Sequence, residues 1–160
     1  MKMVFMAAEI ERKFLVSGDF RRDAKESMHV VQGYLNSSGE RTVRVRVMGD
    51  RGFLTVKGIV SESGMTRSEW EYEIPKDDAE AIMGLCEEGV IDKTRYLVPC
   101  AGHVFEVDVF HGENEGLVVA EVELATENEP FDRPEWLGEE VTGDARYYNS
   151  MLMKKPYRRW

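Results

Sequence analysis

A chain of 160 residues is long enough for one domain with a real core and tight for two. A net charge of −9, with 32% charged residues, argues against non-specific binding to nucleic acid, while leaving room for a local basic pocket. Two cysteines make neither a disulfide framework nor a metal cluster, the apolar run in residues 1–8 is too short for a signal peptide, and no stretch reaches a membrane span of ~20 apolar residues; the expectation is a cytoplasmic protein.

The first strand signal is Glu9-Ile-Glu-Arg-Lys-Phe-Leu-Val16, in which apolar and charged residues alternate before the segment turns fully apolar. Residues 17–25 are charged and read as an irregular or short helical connection, and a second strand covers 28–35 up to the turn-rich Asn36-Ser-Ser-Gly39. Strict alternation marks a third strand over 42–48, and Gly49-Asp50 is a hairpin signal that returns the chain through a fourth over 53–57. The fifth runs over 67–74 and stops at Pro75. Asp77, with Glu80 three residues on, predicts a capping box for one amphipathic helix; Ile82, Leu85 and Cys86 form its apolar stripe and Gly89 lies just past its end. Three further strands follow over 90–98, 104–110 and 117–124, then a short helix near Glu135–Leu137 and a last one capped by Asp144. The basic, aromatic residues 154–160 read as a frayed terminus.

Side chains two apart on a strand share a face. Charge therefore gathers on one face of every strand but the second: Glu9, Glu11 and Lys13; Arg44 and Arg46; Thr55 and Lys57; Glu69, Glu71 and Glu73; Lys93 and Arg95; Glu106 and Asp108; Glu121 and Glu123. A solvated outer face is the plain explanation for any one strand. Three features oppose it for the set. Every strand from the third to the eighth is charged, the signs are segregated by strand, and about eight antiparallel strands can close into a barrel with helices outside. The charged faces would then point inward, where unpaired ions cost several kcal/mol each, so the interior must hold a counter-ligand of both signs. A metal-bound polyphosphate meets that requirement, because guanidinium and ammonium groups suit phosphates and carboxylates suit a hard divalent cation. The expected fold is mainly β, a single domain over residues 1–160 built as an eight-stranded antiparallel barrel with a charged interior and peripheral helices.

Glu9-Ile-Glu-Arg-Lys13, followed in order by Gln32-Gly-Tyr-Leu35, Arg44-Val-Arg46, Leu54-Thr-Val-Lys57, the acidic fifth strand, Lys93-Thr-Arg95, Glu106-Val-Asp108 and Glu121-Val-Glu123, resembles the CYTH superfamily, the triphosphate tunnel metalloenzymes. The resemblance covers nearly the whole chain and is nearest to the short bacterial inorganic tripolyphosphatases. It implies hydrolysis of a triphosphate with Mg²⁺ or Mn²⁺. Arg44, Arg46, Lys57, Lys93 and Arg95 would grip phosphate oxygens, and Glu9, Glu11, Glu121 and Glu123 would bind metal. Lys13 and Tyr34 would position and activate the water, and Glu69, Glu71 and Asp108 are further candidates without an assigned role. The segment from Asp144 to Asn149 would begin a C-terminal helix able to plug or gate one tunnel end. The partner expected is a small triphosphate, with no nucleic acid or membrane and with a homodimer left open. Two alternatives stand beside the hydrolase: an adenylate cyclase acting on ATP, and a non-catalytic triphosphate or polyphosphate sensor.

Overall fold

A computed structural model describes residues 3–160, with side chains from Ala8 onward, so most of the leading apolar run of residues 1–8 lies outside the described side chains. Period-two alternation produces the strands Met3–Val16 (β1), Glu26–Asn36 (β2), Arg41–Met48 (β3), Arg51–Gly58 (β4) and Thr66–Ile74 (β5). After the helix Lys76–Met83 (α1) come Ile91–Cys100 (β6), His103–Phe110 (β7), Val118–Glu123 (β8) and Leu137–Glu140 (β9), and a short helix Asn149–Leu152 (α2). All pairings are antiparallel, in the order β5-β4-β3-β2-β6-β7-β8-β1, and β1 pairs back onto β5 to close the barrel. No helix among the described residues is long and apolar enough to cross a membrane.

The expected helix near Glu135–Leu137 is instead a turn leading into β9. There the Trp136 carbonyl accepts from the Ser17 amide, and Phe14 and Val16 of β1 pair with Glu140 and Leu137. A free stretch of β1 edge offers ladder hydrogen bonds, and these outweigh a helix propensity that spans barely one turn.

α1 also departs from the expected capping box. Pro75 precedes it with no side-chain cap, Asp77 lies within its first turn, and the helix gives way at Gly84, well before Gly89. Leu85 falls beyond the helix and is 76% exposed, so it contributes nothing to a stripe. The buried contact is Ala79, which lies over Gly52 of β4 so closely that a Cβ there would meet the Ala79 methyl at 2.7 Å. Gly52 is what lets α1 sit flat on the barrel wall.

Helices cover less of the outside than expected. The outward faces of β1, β6, β7 and β8 supply Phe14, Val98, Phe105, Val107, Ala120 and Val122, and this core is completed by Phe20 and Trp136 from irregular segments. Phe131 adds edge-on ring contacts with Phe14 and Phe105. Burying large aromatic surface is what counts here, and two connections that together carry three aromatic rings accomplish it as well as a helix does. The C-terminal tail is likewise packed rather than frayed: the Trp160 ring meets Tyr147 at 5.2 Å and Tyr157 at 5.1 Å, and its indole N–H donates to the Lys155 carbonyl.

Candidate active site

The inward faces are the charged ones, and strand register explains why their signs alternate by strand. Lys57 of β4 stands opposite Glu69 of β5, and Arg95 of β6 opposite Asp108 of β7. Glu11 and Lys13 of β1 stand opposite Glu123 and Glu121 of β8. They surround a cavity of about 200 Å³ lined by Glu9, Glu11, Lys13, Tyr34, Arg44, Arg46, Lys57, Glu69, Glu71, Lys93, Arg95, Glu121 and Glu123. Of the residues given a candidate site role from the sequence, Asp108 alone does not line it, and Glu73 of the same charged face as Glu69 and Glu71 pairs with Arg51 instead. Asp108 is 2% exposed and anchors the cations behind the wall.

The interior is wet over only part of its length. Beyond Lys93 and Asp108, the inward residues Tyr34, Ile91, Phe110 and Val119 join Tyr147, Leu152 and Met153 in an apolar plug. At the opposite end Glu123 is exposed and the Glu106 side chain is 39% exposed, which identifies the mouth.

Arg44, Arg46, Lys57, Lys93, Arg95 and Lys13 each have an anionic partner, and Arg67 faces the Tyr148 ring at 5.5 Å. Glu71 Oε2 accepts from Thr55 at 2.8 Å, Arg46 at 3.1 Å and Arg44 at 3.5 Å. Lys57 Nζ donates to both Glu9 oxygens, at 2.9 and 3.2 Å, and lies 3.7 Å from Glu69. Arg95 grips Asp108 with two bonds, at 2.8 and 3.0 Å, and reaches Glu106 at 3.1 Å. Lys93 is 2.8 Å from Asp108 and donates to the Asn149 side-chain oxygen at 3.0 Å. Lys13 lies 3.6 Å from Glu121, donates to the Tyr147 carbonyl at 3.3 Å, and faces the Tyr148 ring at 5.4 Å. Tyr34 lines the same cavity, but its hydroxyl accepts from Gln32 rather than meeting Lys13.

Burial would raise the Glu9 carboxyl, yet Lys57, a hydrogen bond with Glu69 and Arg44 together outweigh it and bring the group down to about 2. Glu69, its neighbour, is pushed up to about 8 by burial and by hydrogen bonding to Glu9. Burial and the charges of Glu121 and Glu9 hold Glu11 well above the carboxylate range, whereas Glu121 opposes burial through Lys13 and is lowered. One carboxyl of each pair thus keeps the proton that the other gives up. On the basic side burial dominates: Lys93 is drawn down to about 8 despite Asp108, and Arg46 to about 10 with Arg44 and Arg95 adding repulsion. For Arg95, Asp108 and Glu106 overcome burial and the group is raised.

Among the described residues no three His, Cys, Asp or Glu groups already converge as a metal cluster. The donor chemistry nevertheless fits a hard divalent cation. Glu9 with Glu69 and Glu11 with Glu121 bring carboxyl oxygens together at close quarters, where a cation can take the place of the shared proton.

The cavity also contains residues given no role from the sequence. Thr55 and Glu106 were legible as inward-facing. Arg67 and Thr42 carry the same parity as Glu69 and Arg44 and could have been found by it. Tyr148 and Ser150 come from the C-terminal segment with Asn149, and no periodicity marks them. The histidines point elsewhere: His29 pairs with Asp92, His111 with Thr94 and His103 with Glu129, and none lines the cavity.

The family model of the CYTH domain matches residues 7–151. The chain belongs to the CYTH family. It is 51% identical over 154 residues to an inorganic triphosphatase of Acetivibrio thermocellus, covering 96% of this chain and 97% of that one. It is 38% identical over 148 residues to an inorganic triphosphatase of Nitrosomonas europaea, with 90% and 95% coverage. Among solved structures, the crystal structure of the inorganic triphosphatase NE1496 superposes on this CYTH barrel with a TM-score of 0.66 at 35% identity, covering 94% of this chain and 97% of that chain.

Proposed function

We propose that this CYTH protein hydrolyses inorganic triphosphate to pyrophosphate and phosphate, using Mg²⁺ or Mn²⁺. The observation that carries the reading is the lining of the cavity, where seven cations (Lys13, Arg44, Arg46, Lys57, Arg67, Lys93 and Arg95) face acids from β1, β5 and β8, and Tyr34 and Tyr148 are the only aromatic rings among the described residues. Such a wall binds charge and offers little for stacking a base. That favours a bare polyphosphate over a nucleotide or thiamine ester, and it fits the two relatives named inorganic triphosphatase.

Entering phosphate oxygens compete with Glu71, Glu9 and Glu106 for the cations those carboxylates now hold. The guanidinium and ammonium groups then meet the charge that spreads over the equatorial oxygens in the transition state, which is where fixed cations lower a phosphoryl-transfer barrier. Glu9, Glu11, Glu69, Glu121 and Glu123 would hold the cation; when bound, it neutralises phosphate charge and polarises the water. Lys13, fixed by Glu121 and the Tyr147 carbonyl, orients groups at the acid cluster. Tyr34 contributes a hydroxyl to the opposite wall.

The test is product analysis with tripolyphosphate, ATP and thiamine triphosphate, each with Mg²⁺ or Mn²⁺ and with EDTA. Pyrophosphate and phosphate should form fastest from tripolyphosphate, only with metal, and not with Glu121→Gln. Cyclic AMP as the main product from ATP would establish the cyclase instead, and full turnover in EDTA would remove the metal from the reaction.

A further inference from the structure

A second, smaller cavity adjoins the first. It measures about 20 Å³ and shares Glu9, Glu11, Lys13, Arg67 and Tyr148 with the main cavity. Its outer wall is made by Val60, Gly64 and Met65 of the β4–β5 connection and by Thr142 and Gly143 after β9. These two loops touch through bare backbone. Gly64 and Gly143 have φ of +78° and +80°, and a Cβ on Gly64 would stand 2.5 Å from the Gly143 Cα. The annex exceeds the roughly 15 Å³ that one water requires and is lined by polar groups that can hold it. A phosphate would not fit.

Its position matters because the main cavity has one mouth and one plugged end. A triphosphate entering past Glu106 and Glu123 occupies the mouth, and the apolar cluster around Tyr34, Phe110 and Leu152 excludes water at the far end. Each turnover consumes a water, which needs a way in while the substrate is bound.

We propose that the annex between the Gly64 and Gly143 loops is the site and entry route of the hydrolytic water, with Val60 and Met65 setting its size. This rests on the hydrolase reading above. The water oxygen bonds to the terminal phosphorus, the P–O bond to pyrophosphate breaks, and the water's proton leaves to solvent by way of the cavity carboxylates. Val60 and Met65 are half-buried, contribute no charge to the site, and act by shape alone.

A competing nucleophile tests this. In water–methanol mixtures, methanol can attack the same phosphorus through its oxygen, losing its proton and releasing pyrophosphate with methyl phosphate in place of phosphate. Phosphorus NMR then reports the methyl phosphate fraction for the wild type, Val60→Ala, Met65→Ala and Val60→Phe. A water-sized annex predicts little methyl phosphate from the wild type and several-fold more from the two enlarged variants. Val60→Phe should lower kcat by about tenfold or more with KM unchanged, because water supply and not substrate binding is obstructed. Equal methyl phosphate fractions in all proteins, or full kcat in Val60→Phe, would overturn the inference while the hydrolase stands. No phosphate release from tripolyphosphate by the wild type would overturn the hydrolase reading, and the inference with it. The two alanine variants keep the question decidable if Val60→Phe fails to fold.

Discussion

Asp108 holds Lys93 and Arg95 together behind the cavity wall, with Lys93 1% exposed. Removing its charge leaves two cations facing a neutral group at a site with almost no solvent. Asp108→Asn should therefore cost about 3–5 kcal/mol, measurable by urea denaturation. Arg44 is a different case from the one its neighbours' charges suggest. Taken as a ring of five cations the basic set would repel itself, but Glu71 bonds Arg44, Arg46 and Thr55 at once. The pH dependence should follow Lys93. Its folded pKa of about 8 lies below its ordinary 10.5, so between those values the unfolded chain binds more protons than the folded one. This lysine's contribution to stability accordingly rises with pH across that window. Its contribution to gripping phosphate runs the other way, since above about pH 8 the neutral amine offers no charge. Triphosphate affinity, measured by calorimetry, should fall above pH 8 in the wild type, and Lys93→Arg should flatten that fall.

Strands and segments differ in how far the sequence foretold them. All eight barrel strands were legible, and so were the inward faces of all but the second, because a two-residue period with a charged side leaves few alternatives once the strands must close. The facing of Glu121 or Arg46 needed no knowledge of its partner. What escaped was structure imposed from a distance. β9 exists because β1 has an unpaired edge, α1 is placed by the glycine beneath it, and Tyr148 and Ser150 reach the cavity because the tail folds back. The role of that tail can be measured. Trp160 meets the Tyr147 ring edge-on, and the Tyr147 carbonyl receives the Lys13 ammonium, so Trp160 supports a group at the acid cluster. Trp160→Ala should cost about 1–2 kcal/mol from lost ring contacts and area, lowering Tm by a few degrees. It should also reduce kcat more than it raises KM, while Trp160→Phe restores both.

The barrel as a whole is closed by one strand. β1 pairs with β5 from Met3 to Ile10, with β8 from Glu11 to Leu15, and with β9 at its end. Deleting residues 1–8 removes the pairing along Glu69–Tyr72 and exposes β5 as a free edge that carries Trp70, already 39% exposed. The shortened protein should therefore associate more than the intact chain, seen as a steeper concentration dependence of light scattering. Closure by β1 also has a temporal side. β1 is made before the other strands of the barrel, yet Glu121 and Glu123 that pair with it are made about 110 residues later, several seconds at ordinary synthesis rates. β5 can cover β1 from Met3 to Ile10 once it is made, but residues 11–16 must wait unpaired until β8 and β9 follow. The second half of β1 is therefore the stretch that needs shelter longest, and slowing translation after β5 should lower the yield of soluble enzyme more than slowing it after β8.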